Sequence, residues 1–216
     1  MAELFNDMDE KELFEKRKKQ GVTDIDGNTY KTVIIGTQEW IAENLNVEHY
    51  RNGDIIPQVQ DQNEWAYLKT GAWCYYDNDP ENGKKYGKLY NWYAVNDPRG
   101  LAPEGWHIPN NDEWNELIKA LGGEDVASGK LKSKECWKGP ISEFQNMSGF
   151  SALPAGALAR IGRFISLFET CYFWSISQGL DKMRDAYYLS LSNDKPESKL
   201  YCFNKKTFFS CRCVKD

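Results

Sequence analysis

An α+β fold is predicted for this chain of 216 residues by three observations. Four short segments late in the sequence alternate in polarity. One earlier segment is an amphipathic helix with its capping residues, and positions 50–105 are crowded with turn formers and aromatic rings. Alternation puts successive side chains on opposite faces of a strand, whereas apolar residues three and four apart share one helix face.

Residues 1–21 are expected to form a helical segment. Acids come early (Asp7, Asp9, Glu10, Glu12) and bases late (Lys16, Arg17, Lys18, Lys19), an order that suits the helix dipole, and Gly21 is placed to end it. Its imperfect apolar stripe (Leu4, Phe5, Met8, Leu13, Phe14) could dock on the domain or pair with another subunit. The domain proper is expected over 22–216. Asp26-Gly27-Asn28 signals a turn before the strand-like run Tyr30–Ile35. Around 50–105, AWCYYDNDPENG and YGKLYNWYAV suggest short elements and long ordered loops pinned by rings. Asn110 and Glu113 have capping-box spacing; Trp114, Leu117, Ile118 and Leu121 then follow one helix face, and Gly122-Gly123 close it. After Gly149 come the strand segments CYFWSIS, AYYLSLS, KLYCFN and TFFSCRCV.

The net charge of −5 argues against nucleic acid as a partner, and no apolar run approaches the roughly 20 residues of a membrane span. The first residues lack the apolar core of a secretory signal. Six cysteines are too sparse for a disulfide scaffold and are expected to be mostly reduced.

Motifs for chemistry are scarce. His49 and His107 stand far apart, and His107, just before the helix, is expected to be a structural hydrogen-bonding residue. Gly123 to Gly129-Lys130 is one residue too long for a phosphate loop, carries Leu131 at the hydroxyl position, and is read as a plain loop. The acidic turns Asp24–Asn28 and Asp77–Glu81 leave a structural calcium ion open without completing an EF-hand; no other cofactor is expected. Cys202, Cys211 and Cys213 lack zinc-ligand spacing and read as small buried hydrophobes.

Long stretches carry a family resemblance: VTDIDGNTYKTVIIGTQEWIAENLN (22–46), YGKLYNWYAV (86–95), RGLAPEGWHIPNNDEW (99–114), SGFSALPAGALARIGRF (148–164) and RCVKD (212–216). From Val22 to Asp216 the chain resembles the Fibrobacter succinogenes major paralogous domain family. The resemblance implies a C-type-lectin-like fold of the formylglycine-generating-enzyme type: a small twisted antiparallel sheet, one or two helices and long loops bearing a ligand face. Some relatives are variable proteins of diversity-generating retroelements, in which adenine-directed mutagenesis rewrites exposed C-terminal positions. Against relatives reading "YWWSST" and "GFSVRCV", this chain has Ile176 for a polar residue, Phe208 for Gly and Cys211 for Val. Phe at a glycine position also puts the family's local backbone in question.

The segment from Phe164 to Phe209 holds 11 of the chain's 30 aromatic residues, nearly twice the average density. Tyr and Phe bring large contact area at low entropic cost, as in antibody loops. The expected function is therefore binding of a protein or surface glycan through a variable region of about 164–211, on a bacterial surface or phage virion. The candidate contact residues are Phe168, Thr170, Cys171, Phe173, Ile176, Tyr187, Asn193, Ser198, Tyr201, Phe203 and Phe208, with Trp174, Leu189, Leu191 and Cys213 assigned to the core. No catalytic or metal-ligating residue is assigned. Two alternatives stand beside this: a formylglycine-generating-type enzyme, whose closely spaced cysteine pair has no counterpart in a matching motif here, and an assembly module that buries its aromatic face permanently, possible as a homo-oligomer through the N-terminal helix.

Overall fold

Asp26-Gly27-Asn28 turns the chain so that β1 (Val22–Thr23) pairs antiparallel with β2 (Thr29–Tyr30). The structure, a computed structural model, describes residues 21–216 except 66, 141, 142 and 196; the expected N-terminal helix lies outside them. Gly36, at φ +62°, turns β3 (Thr32–Ile35) into β4 (Gln38–Ile41). The aromatic middle forms short elements, as its composition predicts: α1 (Gln62–Trp65), β5 (Trp73–Cys74), a single 3-10 turn at Tyr76–Asn78, α2 (Pro80–Tyr86), β6 (Leu89–Asn91), α3 (Trp92–Val95) and β7 (Trp106–His107). Next come α4 (Asn111–Ala120) and α5 (Glu124–Leu131). The remaining strands are β8 (Ala155–Ala159), β9 (Arg163–Leu167), β10 (Thr170–Gln178), β11 (Asp185–Ser192), β12 (Ser198–Asn204), β13 (Phe208–Phe209) and β14 (Val214–Lys215).

The fold is α+β, but its main sheet is not small. Eight strands run in the order β12-β11-β10-β8-β13-β6-β5, with β9 on β8; a separate sheet has the order β3-β4-β14-β7. Pairing is antiparallel except where β10 meets β8. The predicted helix α4 has the full capping box: the Asn110 side chain accepts from the Asp112 and Glu113 N–H groups, and Glu113 accepts from the Asn110 N–H. Trp114, Leu117 and Ile118 on its inner face are buried.

Two expectations are corrected. The segment read as a loop, Gly123 to Lys130, forms α5. Glu124 and Asp125 favour its N-terminus and Lys130 its C-terminus, but only Ala127, Ser128 and Leu131 are buried, so its apolar stripe is too thin to read. TFFSCRCV is not one strand. β13 lies inside the large sheet and β14 inside the smaller one, and Phe208 through Val214 are buried throughout, which removes the alternation that marks a half-exposed strand.

Arg212, between β13 and β14, is fully buried. Its Nε donates to Asn44 Oδ1 at 2.8 Å, Nη1 to the Ile41 and Phe150 carbonyls at 3.1 and 2.7 Å, and Nη2 to the Ser151 carbonyl at 3.1 Å. The guanidinium also stands 4.6 Å from the Phe150 ring centroid and 5.3 Å from that of Phe173. Burial lowers its pKa to about 10 against the opposing pull of Glu43, so it remains charged at neutral pH, and among the described residues no carboxylate hydrogen-bonds to it. Only the forked guanidinium serves acceptors lying in different directions.

His107, on β7, has the structural role expected of it. One ring nitrogen lies 2.6 Å from the Asp216 carboxylate and the other 2.6 Å from Glu113, so the ring joins the last residue to the cap of α4. Burial works to lower its pKa, but the hydrogen bonds with Asp216 and Glu113 outweigh it and leave the value raised.

Two measurements check these anchors. Arg212→Ala takes the donor from four acceptors, three of them buried, each buried one worth roughly 1–3 kcal/mol, so urea unfolding should register a loss above about 3 kcal/mol; a loss under about 1 kcal/mol contradicts the anchoring role. Because the folded pKa of His107 is raised, its contribution is full below its unfolded value of about 6.5 and fades as pH rises through the folded value. The stability gap between wild type and His107→Gln should therefore shrink between about pH 5 and pH 8; a gap that is flat or grows refutes the assignment.

Candidate functional site

The edge of the large sheet is built from the three longest strands, and their register sorts every side chain. Phe173, Leu189 and Leu200 stand in one cross-strand row and Cys171, Leu191 and Ser198 in the next. These rows face inward: Cys171, Phe173, Leu189 and Leu191 pack with Trp40, Trp114 and Phe150 beside α4 and α5. Phe173 stacks on Trp114 at 6.0 Å and meets Phe150 edge-on at 5.9 Å.

The opposite face carries a different row, Trp174, Tyr188 and Tyr201, with Tyr172 and Phe203 one pair away on either side. Phe209 from β13 lies beneath, 4.9 Å from Tyr172, 4.8 Å from Tyr188, 4.5 Å from Trp174 and 6.5 Å from Phe203. Tyr188 is the hub, within 5.9 Å of Tyr201 and 6.4 Å of Phe203. The cluster grades outward: Trp174 and Phe209 are buried, Tyr172 and Tyr188 half-buried, and Tyr201 and Phe203 are 40% and 46% exposed. Packed aromatic pairs contribute roughly 0.5–1.5 kcal/mol beyond their burial, so the outer rings are held on a firm base. The result is an aromatic ledge, tied to β9 by the Tyr172 hydroxyl, which donates to Ser166 Oγ at 3.3 Å. Burial first, then the neighbouring Tyr172 and Tyr201, pushes the Tyr188 phenol up to about 12, which keeps it neutral at physiological pH.

Beside the ledge is a shallow cleft of about 400 Å³ lined by Arg160, Arg184, Asp185, Cys202, Phe203 and Asn204. Arg184 is held by Asp185 at 3.1 Å, whereas Arg160 forms no ion pair among the described residues. The arrangement offers π faces, apolar area and a cation at its rim.

Of the residues singled out from sequence, the structure brings Tyr201 and Phe203 together. Phe168, Asn193 and Ile176 are exposed but apart from the ledge. Phe168 and Asn193 sit at the turns flanking the start of β10 and the end of β11, where the Lys138 N–H bonds the Phe168 carbonyl and Asn193 Nδ2 bonds the Lys138 carbonyl. Ile176 lies toward the other end of β10, its N–H on the Pro109 carbonyl.

The other candidates are corrected. Thr170, Cys171, Phe173, Ser198 and Phe208 are buried, whereas Tyr187 is partly exposed, on the face opposite the ledge beside Cys202. For Phe173 the difference is one residue of phase: Tyr172 is the partly exposed ring, and a one-residue slip exchanges faces. Phe208 pairs with Asn91 and Leu158 in the middle of the large sheet, without the positive φ that would demand glycine. Cys211 is likewise core. Burial pushes the Cys171 thiol up to about 12 and raises Cys211 and Cys213 as well.

The acidic turns are occupied by their own chain. The Asp24 carboxylate accepts from the Asp26 and Asn28 N–H groups, the Asn28 amide and the Tyr30 hydroxyl, while Asp79 caps α2. Among the described residues no group of three or more His, Cys, Asp and Glu is placed to hold a metal ion, and no helix is long and apolar enough to cross a membrane.

No curated protein and no solved structure matches this chain. The model of the Fibrobacter succinogenes major domain matches residues 33–215, from β3 to the last strand, and the chain belongs to that family.

Proposed function

We propose that this protein is a ligand-binding display protein that engages a protein or surface glycan through the aromatic ledge of β10–β12, on a C-type-lectin-like scaffold of the formylglycine-generating-enzyme type. The observation that carries the reading is the exposure of Tyr201 and Phe203 on rings that are themselves fixed by packing. Large side chains already held in position lose little entropy on binding, which is why preorganised aromatics dominate recognition surfaces. Arg160, unpaired at the rim, adds a donor for a polar or acidic group on the ligand. If a retroelement diversifies the protein, substitution belongs at the exposed positions Phe168, Ile176, Asn193, Tyr201 and Phe203, because replacing a buried ring opens a cavity.

Two outcomes are expected. Phe173→Ala and Phe208→Ala should each destabilise the fold by about 3–5 kcal/mol, whereas Tyr201→Ala and Phe203→Ala should cost less than about 1.5 kcal/mol. In a glycan-array screen and a pull-down from bacterial surface extracts, the Tyr201→Ala/Phe203→Ala double variant should lose at least about tenfold in affinity for whatever the wild type retains; unchanged affinity would place recognition elsewhere. The diversification part is checked in the genome. A near-copy of the segment encoding residues 164–211, differing mainly at adenines, should lie beside a reverse-transcriptase gene, and its absence removes that part of the proposal.

A further inference from the structure

A second cleft, of about 520 Å³, opens between α5, Trp137 to Pro140 with Phe144 and Gln145, and Asn193 to Lys195 after β11. Its walls are apolar, from Val126, Trp137, Pro140 and Phe144, and its volume falls in the roughly 300–1,000 Å³ usual for small-molecule sites. Of the charged residues lining it, Asp125, Lys138, Asp194 and Lys195 are exposed, and Lys132 alone is half-buried. The Lys132 ammonium donates to the Ser192 carbonyl and stands 4.9 Å from the centre of the Trp137 ring.

No carboxylate pairs with Lys132 among the described residues. Asp194 accepts instead from the Ser192 hydroxyl, and Lys138 is paired with Glu169 at 2.8 Å. An ammonium has three donors, and a single carbonyl uses one. Asp194, exposed at the rim, attracts Lys132 without forming an ion pair with it, so the half-buried cation keeps a desolvation cost that an incoming carboxylate in direct contact would offset, in surroundings where the attraction is stronger than at the exposed rim. Burial also holds the Lys132 pKa below the ordinary lysine value, outweighing the pull of Asp194.

We infer that this cleft binds a small carboxylic acid with an apolar body, its carboxylate on Lys132 and its body against Trp137, Val126 and Phe144. Charge complementarity and concavity select this occupant. The ledge is a separate surface, and neither assignment depends on the other.

Titration calorimetry of the full chain with octanoate and with 1-octanol tests the assignment. Octanoate should bind at least about tenfold more tightly than the alcohol. Lys132→Met should abolish that preference and Lys132→Arg retain it, which keeps the test informative even if the methionine variant folds poorly. In amide and indole NMR spectra, octanoate should move the Trp137 indole N–H signal. Equal binding of acid and alcohol, a preference that survives in Lys132→Met, no binding of octanoate at millimolar concentration, or shifts confined to the ledge would each overturn the inference.

Discussion

The Arg212 guanidinium sits where the ends of the domain meet. Its donors reach Asn44 and the Ile41 carbonyl at the end of β4, and the Phe150 and Ser151 carbonyls just ahead of β8. The segment on either side of it supplies one strand to each large sheet, with β13 between β8 and β6 and β14 between β4 and β7. Backbone bonds from the Ile41 and Leu45 N–H groups to the Cys213 and Cys211 carbonyls seat that segment. An isolated buried cation would be ruinous; here each nitrogen has an acceptor and Phe150 and Phe173 cover it, so the charge specifies one arrangement of these elements.

The ledge depends on the same arrangement. Phe209, three residues before Arg212, is the floor on which Tyr172, Tyr188 and Trp174 rest. Phe173, on the reverse side of β10, lies under the guanidinium and against Trp114. One strand thus places Cys171 and Phe173 in the core and Tyr172 and Trp174 toward the ledge, so the ledge inherits its rigidity from the interior. Substitution at Tyr201 or Phe203 leaves that base untouched, whereas substitution at Phe173 or Phe208 removes part of it.

The candidate site was half legible because composition and register carry different information. The aromatic enrichment of 164–209 located the region, and Tyr201 and Phe203 were identified from it. Alternation alone does not say which parity faces inward, and Phe173 is buried where exposure is expected for that reason. At Phe208 and Cys211 the strand is covered on both faces, so unusual residues there report interior packing and not contact with a ligand. The rings of Tyr172 and Tyr188 carried a signal, as the opposite phase of the same segments, which only the pairing with β13 resolves.

The sequence by itself determined the α+β class, the α4 helix with its capping box, three of the four late β segments, the core positions Trp174, Leu189, Leu191 and Cys213, and membership of the family. Those features rest on local rules: spacing along a helix, alternation along a strand, and long motifs. Tertiary structure alone decided the eight-stranded order, the transfer of the last segment from one sheet to the other, the helix at Glu124–Leu131 and the inward phase of β10. Each of these depends on which surface lies opposite a segment, and contacts between residues far apart in the chain leave no periodic trace within either partner.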